Sequence, residues 1–199
     1  MNHNEIHYQF IDIAGGISQD LTIAIEKVGP VKFEADHSKP LAHYMCESVT
    51  SQQLSVKVAD TIWNRVLKES GSLPLTEFFV EENRDIMRGC GLSAAKVKTM
   101  CGIAQMAREG ELDEEHLRSI SHKERSKHLM VLWGVGQWTV DMISIFYFGD
   151  EDVWPDGDLA ARKTLEKLTG RRRKTVRTAQ HFAPYRSRLA LYMWGYKEI

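Results

Sequence analysis

Leu132-Trp133-Gly134-Val135-Gly136-Gln137-Trp138-Thr139 is the stretch whose reading decides the fold of this chain. Gly134 and Gly136 carry no Cβ, so the backbone between two helices can turn tightly and bring its N–H groups close to a phosphate of another molecule. From Trp138 to Phe148 the residues are almost wholly apolar. That run predicts a helix from about Gln137, whose positive N-terminal end adds to the same anion site. Twenty positions after Trp138 comes Asp158, in Val153-Trp154-Pro155-Asp156-Gly157-Asp158-Leu159, where a further helix should begin. The hairpin is read as a grip on phosphate and Asp158 as the candidate for chemistry. A plainer role for Asp158, a cap that complements a helix dipole, stands beside that one.

Outward from the hairpin the periodicity is helical almost throughout, with short breakers between segments. Ser18 is placed to cap a helix through Leu21, Ile23, Ala24 and Ile25 to Val28, closed by Gly29-Pro30. Pro40 suits the first turn of the next, with Leu41, Tyr44, Met45 and Val49 facing inward. Ser55 opens a third, in which Val58, Ile62, Val66 and the stem of Arg65 alternate with solvated positions. Further helices are predicted near 75–81, 83–88, 93–109, 112–117, 121–129, 137–148, 158–168, 173–182 and 184–196. Val31-Lys32-Phe33 is the one candidate strand, so the fold class is all-α.

Composition narrows the class of protein. At 199 residues the chain holds one substantial core or two small lobes sharing a cleft, and 43% hydrophobic with 27% charged residues reads as soluble and globular. The apolar run Met142 to Phe148 is too short to span a membrane, and Met1-Asn2-His3-Asn4-Glu5 lacks a signal-peptide layout, so an intracellular protein without a membrane partner is expected. Three cysteines, Cys46, Cys90 and Cys101, have no metal-ligand spacing and read as reduced thiols. Eight histidines suggest no zinc site: His3 and His7 fall in a terminus read as mobile, and His122 and His128 are badly spaced for one helix face. Net charge is −1, yet ten basic residues against Glu166 alone lie between Arg162 and Arg188. Arg171-Arg172-Arg173-Lys174 is either a solvated run or part of a flank facing a polyanion, and beside a phosphate-gripping hairpin the second is preferred.

Four segments in order, Ser51-Gln52-Gln53-Leu54-Ser55, Gly91-Leu92-Ser93 with Lys96, the hairpin through Asp158, and Pro184-Tyr185-Arg186-Ser187 leading to Trp194, resemble the helix-hairpin-helix Gly-Pro-Asp superfamily of DNA glycosylases, in its 3-methyladenine DNA glycosylase II branch. The resemblance runs from about Pro40 to Trp194. It implies two helical lobes, about 38–148 and about 1–37 plus 149–199, with an active-site cleft between them, in a compact form without the β-rich N-terminal domain of larger members.

The implied function is a monofunctional glycosylase of base excision repair that flips an alkylated purine, of the 3-methyladenine or 7-methylguanine type, out of double-stranded DNA and hydrolyses its N-glycosidic bond. In the family pattern the catalytic carboxylate directly precedes the hydrophobic residue that opens the helix, here Leu159, which selects Asp158 and leaves the cap to Asp156. Trp138 stands where strand-nicking relatives carry a Schiff-base lysine. Trp138 and Trp194 are implied to flank the flipped base, or else to be packing residues, and Met142 replaces a tyrosine of the branch. Gly134, Gly136 and Thr139 are implied to hold the DNA backbone. Gln53, Ser93 and Ala94 are implied to probe the duplex, with a helix cap as the plain alternative for Ser93. The carbonyls of Met130, Leu132 and Val135 are implied to hold a sodium or potassium ion, with no cofactor required for the reaction. A monomer is expected, cytoplasmic with the nucleoid in a bacterium or nuclear in a eukaryote. The alternatives are a glycosylase for ethenoadenine, hypoxanthine or uracil, and a non-catalytic DNA-binding protein.

Overall fold

The computed structural model describes residues 2–170 and 174–199. In chain order its helices are α1 (His3–Gly15), α2 (Gln19–Val28), α3 (Leu41–Ser51), α4 (Val56–Ser70), α5 (Leu75–Phe78), α6 (Arg84–Gly89), α7 (Ala94–Arg108), α8 (Glu114–Ser119), α9 (His122–Leu129), α10 (Gln137–Ile143), α11 (Leu159–Thr169), α12 (Thr175–Gln180) and α13 (Arg186–Glu198). A 3₁₀ turn, Glu81–Asn83, precedes α6 and a π-helical stretch, Ser144–Phe148, follows α10. Among the described residues no helix is long and apolar enough to cross a membrane.

The chain divides into two compact units, Met1–Ala35 with Ser144–Ile199, and Asp36–Ile143. The division falls where α-helical turns give way to the π stretch, inside the apolar run that the resemblance implies to lie whole in one lobe.

In the first unit Phe10, Ile25, Leu165, Phe182, Leu189 and Met193 belong to one buried cluster supplied by α1, α2, α11, α13 and the turn after α12. The terminus expected to be mobile is instead α1. Asn2 Oδ1 accepts the Glu5 N–H and Glu5 Oε2 accepts the Asn2 N–H, both at 2.9 Å, so the first turn is capped reciprocally. Ile6, Phe10 and Ala14 are buried at a four-residue spacing, one per turn, a stripe too narrow to stand out in the sequence. His7, read as part of that mobile terminus, is buried with its Nδ1 at 2.8 Å from the Tyr192 hydroxyl. Val31–Phe33 forms no strand, since no neighbouring backbone edge pairs with it among the described residues.

In the second unit α3 packs on α4 and α7, burying Leu41, Met45, Val49, Val66 and Met100. The inward stripe of α4 is Ala59, Trp63, Val66 and Ser70. Val66 is buried as expected, but Val58 is 45% exposed and Arg65 is exposed, because the large Trp63 ring with Ala59 takes the inner positions of the first turns. Buried Arg125 donates from Nε to the Leu117 carbonyl at 2.8 Å, fastening the end of α8 to α9. That fixes the helix that leads into the hairpin.

Candidate active site and nucleic-acid interface

The hairpin is the connection at 130–136 between α9 and α10. Ser121 and Glu124 form a capping box that starts α9. The turn closes through Val135 N–H to the Leu132 carbonyl at 3.1 Å, and Leu129, Val135 and Val140 anchor it in the core. Beneath it, the Gln137 amide donates to Ser126 Oγ at 3.1 Å and to Asp141 Oδ1 at 2.7 Å, while His122 Nε2 lies 3.0 Å from the same carboxylate oxygen. These contacts clamp α9 to α10.

The two glycines differ. Gly134 has φ of 83°, and a Cβ there would overlap the Thr99 hydroxyl of α7, so the protein's own fold demands glycine. Gly136 lacks a positive φ and a Cβ on it would meet nothing within 4 Å. Open space lies beside it. Trp138 is 37% exposed, which does not suit a buried packing role, and Met142 is half-buried. Thr139 is 3% exposed with its hydroxyl accepting from the Gln52 amide at 3.2 Å, so its side chain is turned away from any phosphate and only its backbone is suited to that contact.

The Gln52 contact joins the hairpin helix to a second motif. Gln53 is exposed and has φ of 58°, a left-handed conformation rare outside glycine and asparagine. Lys96 holds this turn, donating from Nζ to the carbonyls of Thr50 at 2.7 Å and Gln52 at 3.0 Å. Burial pulls the Lys96 ammonium below its ordinary pKa. Ser93 is a helix cap, its hydroxyl accepting the Lys96 N–H at 3.2 Å, and Ala94 follows it exposed at the start of α7. The first two segments and the hairpin part of the third are therefore linked through Lys96 and Gln52 in one unit.

The fourth lies in the other unit and braces the loop before α11. The Ser187 hydroxyl donates to the Asp150 carbonyl at 2.6 Å and accepts the Val153 N–H at 3.0 Å. Arg186 grips the Asp152 carboxylate with Nε at 2.7 Å and Nη2 at 3.0 Å, and buried Arg188 reaches Glu151 Oε1 at 2.6 Å. Asp156 does not cap α11. Its Oδ1 accepts from Thr175 Oγ1 at 2.7 Å and from Trp154 Nε1 at 3.2 Å, so it ties the loop to α12.

Asp158 itself is the N-cap of α11. Its Oδ1 accepts the Ala161 N–H at 2.8 Å and the Trp194 indole N–H at 2.9 Å. The Trp194 ring stacks on Phe146 with centroids 5.7 Å apart and planes at 29°. Phe146 was not separable from its apolar neighbours in the sequence, and neither the Ser187 nor the Arg186 contact had a sequence signal beyond the segment's resemblance. Such a carboxylate, fixed by two donors, can stabilise a positive charge developing nearby. In the basic segment Arg162, Arg186 and Arg188 are ion-paired with Glu166, Asp152 and Glu151, while Arg171, Arg172 and Arg173 lie outside the described residues.

No family model matches the chain. Among curated proteins it is 32% identical to DNA-3-methyladenine glycosylase 1 of Schizosaccharomyces pombe over 158 residues, covering 75% of this chain and 69% of that one. Among solved structures it resembles the 3-methyladenine DNA glycosylase of the same yeast in complex with abasic DNA, with a TM-score of 0.79 and 27% identity over 96% of this chain and 97% of the other. It also resembles a DNA-3-methyladenine glycosidase of Bacillus halodurans, with a TM-score of 0.79 and 25% identity over 94% and 87% of the two chains.

Proposed function

We infer the reaction from the premise that the chain belongs to the DNA-3-methyladenine glycosylase family. It is a DNA glycosylase of base excision repair, acting on alkylated purines. The observation that carries the mechanism is the Asp158 carboxylate, held by Ala161 N–H and the Trp194 indole at the head of a braced loop.

Breaking an N-glycosidic bond leaves an oxocarbenium-like sugar. Asp158 faces that charge as an anion and orients or deprotonates the attacking water. An alkylated purine is already cationic, so it departs without a strong general acid. One carboxylate suffices. Trp194 serves chiefly to hold Asp158, and Trp138 and Met142 shape the base pocket in this reading. With Trp138 at the Schiff-base position the enzyme has no amine there and acts by hydrolysis alone.

Binding follows from the hairpin. Gly136 leaves room for a phosphate to approach the backbone, a contact that positions the duplex and reads no base. The N–H of Thr139 belongs to the same surface, and the carbonyls of Met130, Leu132 and Val135 are the groups that would hold a monovalent cation. Gln53, projected from its left-handed turn, fills the space left by the flipped base, with Ser93 and Ala94 offering only small contacts beside it. The protein acts as a monomer on a damaged duplex.

The test is product analysis. Incubation with methylated duplex should release free base and leave the strand intact until alkali or heat opens the abasic site, and borohydride should trap no adduct. Robust strand cleavage, or a trapped lysine adduct, would remove the monofunctional reading; no base release from any alkylated duplex would remove the catalytic one.

A further inference from the structure

A groove of about 600 Å³ runs between α11, α13 and the end of α2, all in the unit that carries Asp158. Lys27, Lys163, Lys167 and Lys197 line it together with Leu159 and Tyr196, and no acidic side chain does. All four lysines are exposed, and none is ion-paired among the described residues. Lys163 and Lys167 stand one turn apart on α11, whereas Lys27 closes α2 and Lys197 closes α13. The sequence shows only the first pair as part of a basic segment. Folding brings the other two to it.

Four like charges around one groove repel one another, in a chain whose net charge is only −1. Lysines at the C-terminal ends of α2 and α13 are explained by helix dipoles, but that does not explain why both ends meet the Lys163 and Lys167 face of α11. The groove also has a defined beginning: Leu159, 56% exposed, is the residue after Asp158. Its occupant therefore extends from the carboxylate along α11. A polyanion with apolar sugar and base surfaces matches both the charge and the apolar surface of exposed Leu159 and half-buried Tyr196.

We propose that this groove is a second nucleic-acid subsite, which holds the phosphodiester backbone adjoining the nucleotide at Asp158. The proposal rests on the reading of the chain as a DNA glycosylase. It assigns lysine contacts to the unit that carries the carboxylate, in addition to the backbone grip of the hairpin in the other unit.

The test uses the full chain and a duplex with a central uncleavable abasic analogue, with binding measured across potassium chloride concentrations. Lys163→Glu with Lys167→Glu should make the slope of log affinity against log salt shallower by about 1.8, since each lost phosphate contact contributes roughly 0.9. Affinity at low salt should fall at least about tenfold. Single-turnover excision at saturating protein should stay within about twofold, because neither lysine touches the reacting bond. Trimming the duplex on one side of the lesion should weaken the wild type and leave the variant unaffected. Lys163→Gln with Lys167→Gln provides the same comparison without charge reversal, and should be shallower by the same amount.

An unchanged slope, or the same response to trimming in both proteins, overturns the proposal. If the wild type excises methylated bases while the slope is unchanged, the groove alone is wrong. A wild type that excises nothing, with a slope that does fall, would leave the groove standing and refute the glycosylase reading.

Discussion

The connection at 130–136 and the connection at 149–158 each feed a helix, and they are held in opposite ways. The second is fastened by side chains on several of its own members: Ser187 takes Asp150 and Val153, Arg186 takes Asp152, Arg188 takes Glu151, and Thr175 takes Asp156. The first is held from beneath, by the Gln137, Asp141 and Ser126 clamp and by close packing of Gly134 against Thr99. A group that must meet developing charge needs its position fixed before substrate arrives, since reorganisation during the reaction would forfeit the stabilisation. A backbone that is to receive phosphate, as proposed for the hairpin, needs its outer side open, and a Cβ on Gly136 would meet nothing within 4 Å.

The largest test of that contrast is Asp158→Asn. It preserves size and one acceptor for Ala161 and Trp194 while removing the charge, so excision should fall at least about a hundredfold with DNA binding retained. Asp156→Asn should cost only a few-fold, because Asp156 braces the loop and does not head α11. Reversal of these two effects in single-turnover excision would show that the wrong carboxylate has been chosen.

Trp194→Phe comes next. The aromatic ring and its stack on Phe146 survive, but the indole N–H to Asp158 is lost. A hydrogen bond to a charged group is worth about 1.5 to 3 kcal/mol, so kcat should drop about tenfold or more with KM little changed. If Phe supports wild-type turnover, Trp194 acts through its ring alone.

Smaller effects should separate the hairpin glycines. Gly134→Ala has to adopt a positive φ and displace Thr99, so it should destabilise the fold by about 2 kcal/mol, read as a lower melting temperature. Gly136→Ala should leave stability within about 0.5 kcal/mol. It should instead weaken binding to damaged and undamaged duplex alike, by a few-fold. Equal melting losses in both variants would erase the distinction between a glycine the fold requires and one its ligand requires.

The sequence carried the helical class and the Leu159 start of α11 because both depend on local order of apolar and capping residues. The choice between Asp156 and Asp158 as cap did not, since Asp156 is claimed by Thr175, nineteen positions away. Long-range partners of this kind leave no spacing signature. Nor did the inner positions of the first turns of α4, set by where Trp63 finds room, or the role of Lys96, whose acceptors are carbonyls of Thr50 and Gln52. In α1 the buried Ile6, Phe10 and Ala14 are interleaved with His7, Tyr8, Gln9 and Asp12 and with the equally apolar Ile11 and Ile13, so only packing on α2 picks out the inward stripe.

That missed helix supplies the smallest prediction. Burial lowers the pKa of His7 below the 6.5 of a free imidazole, and the Glu26 carboxylate opposes the shift in part. Its Nδ1 meets the hydroxyl of Tyr192, itself pushed up to about 12 by burial, on the helix that carries Trp194 two positions later. Because the folded pKa lies below the unfolded one, the unfolded chain takes up the proton first as pH falls. The stability from a neutral His7 is thus complete above about 6.5 and is lost as pH drops through that value toward the folded pKa. His43, also depressed chiefly by burial, contributes a slope of the same sign from the other unit. His7→Phe should therefore flatten part of the decline in melting temperature between about pH 7 and 5, and His43→Phe a separate part. Hydrogen exchange should place the His7 share in α1 and α13, behind the braced loop, with the hairpin amides unaffected. A His7→Phe variant whose melting temperature declines as steeply as the wild type would show that the imidazole titrates as a solvated group and that the frame behind Asp158 does not depend on its charge.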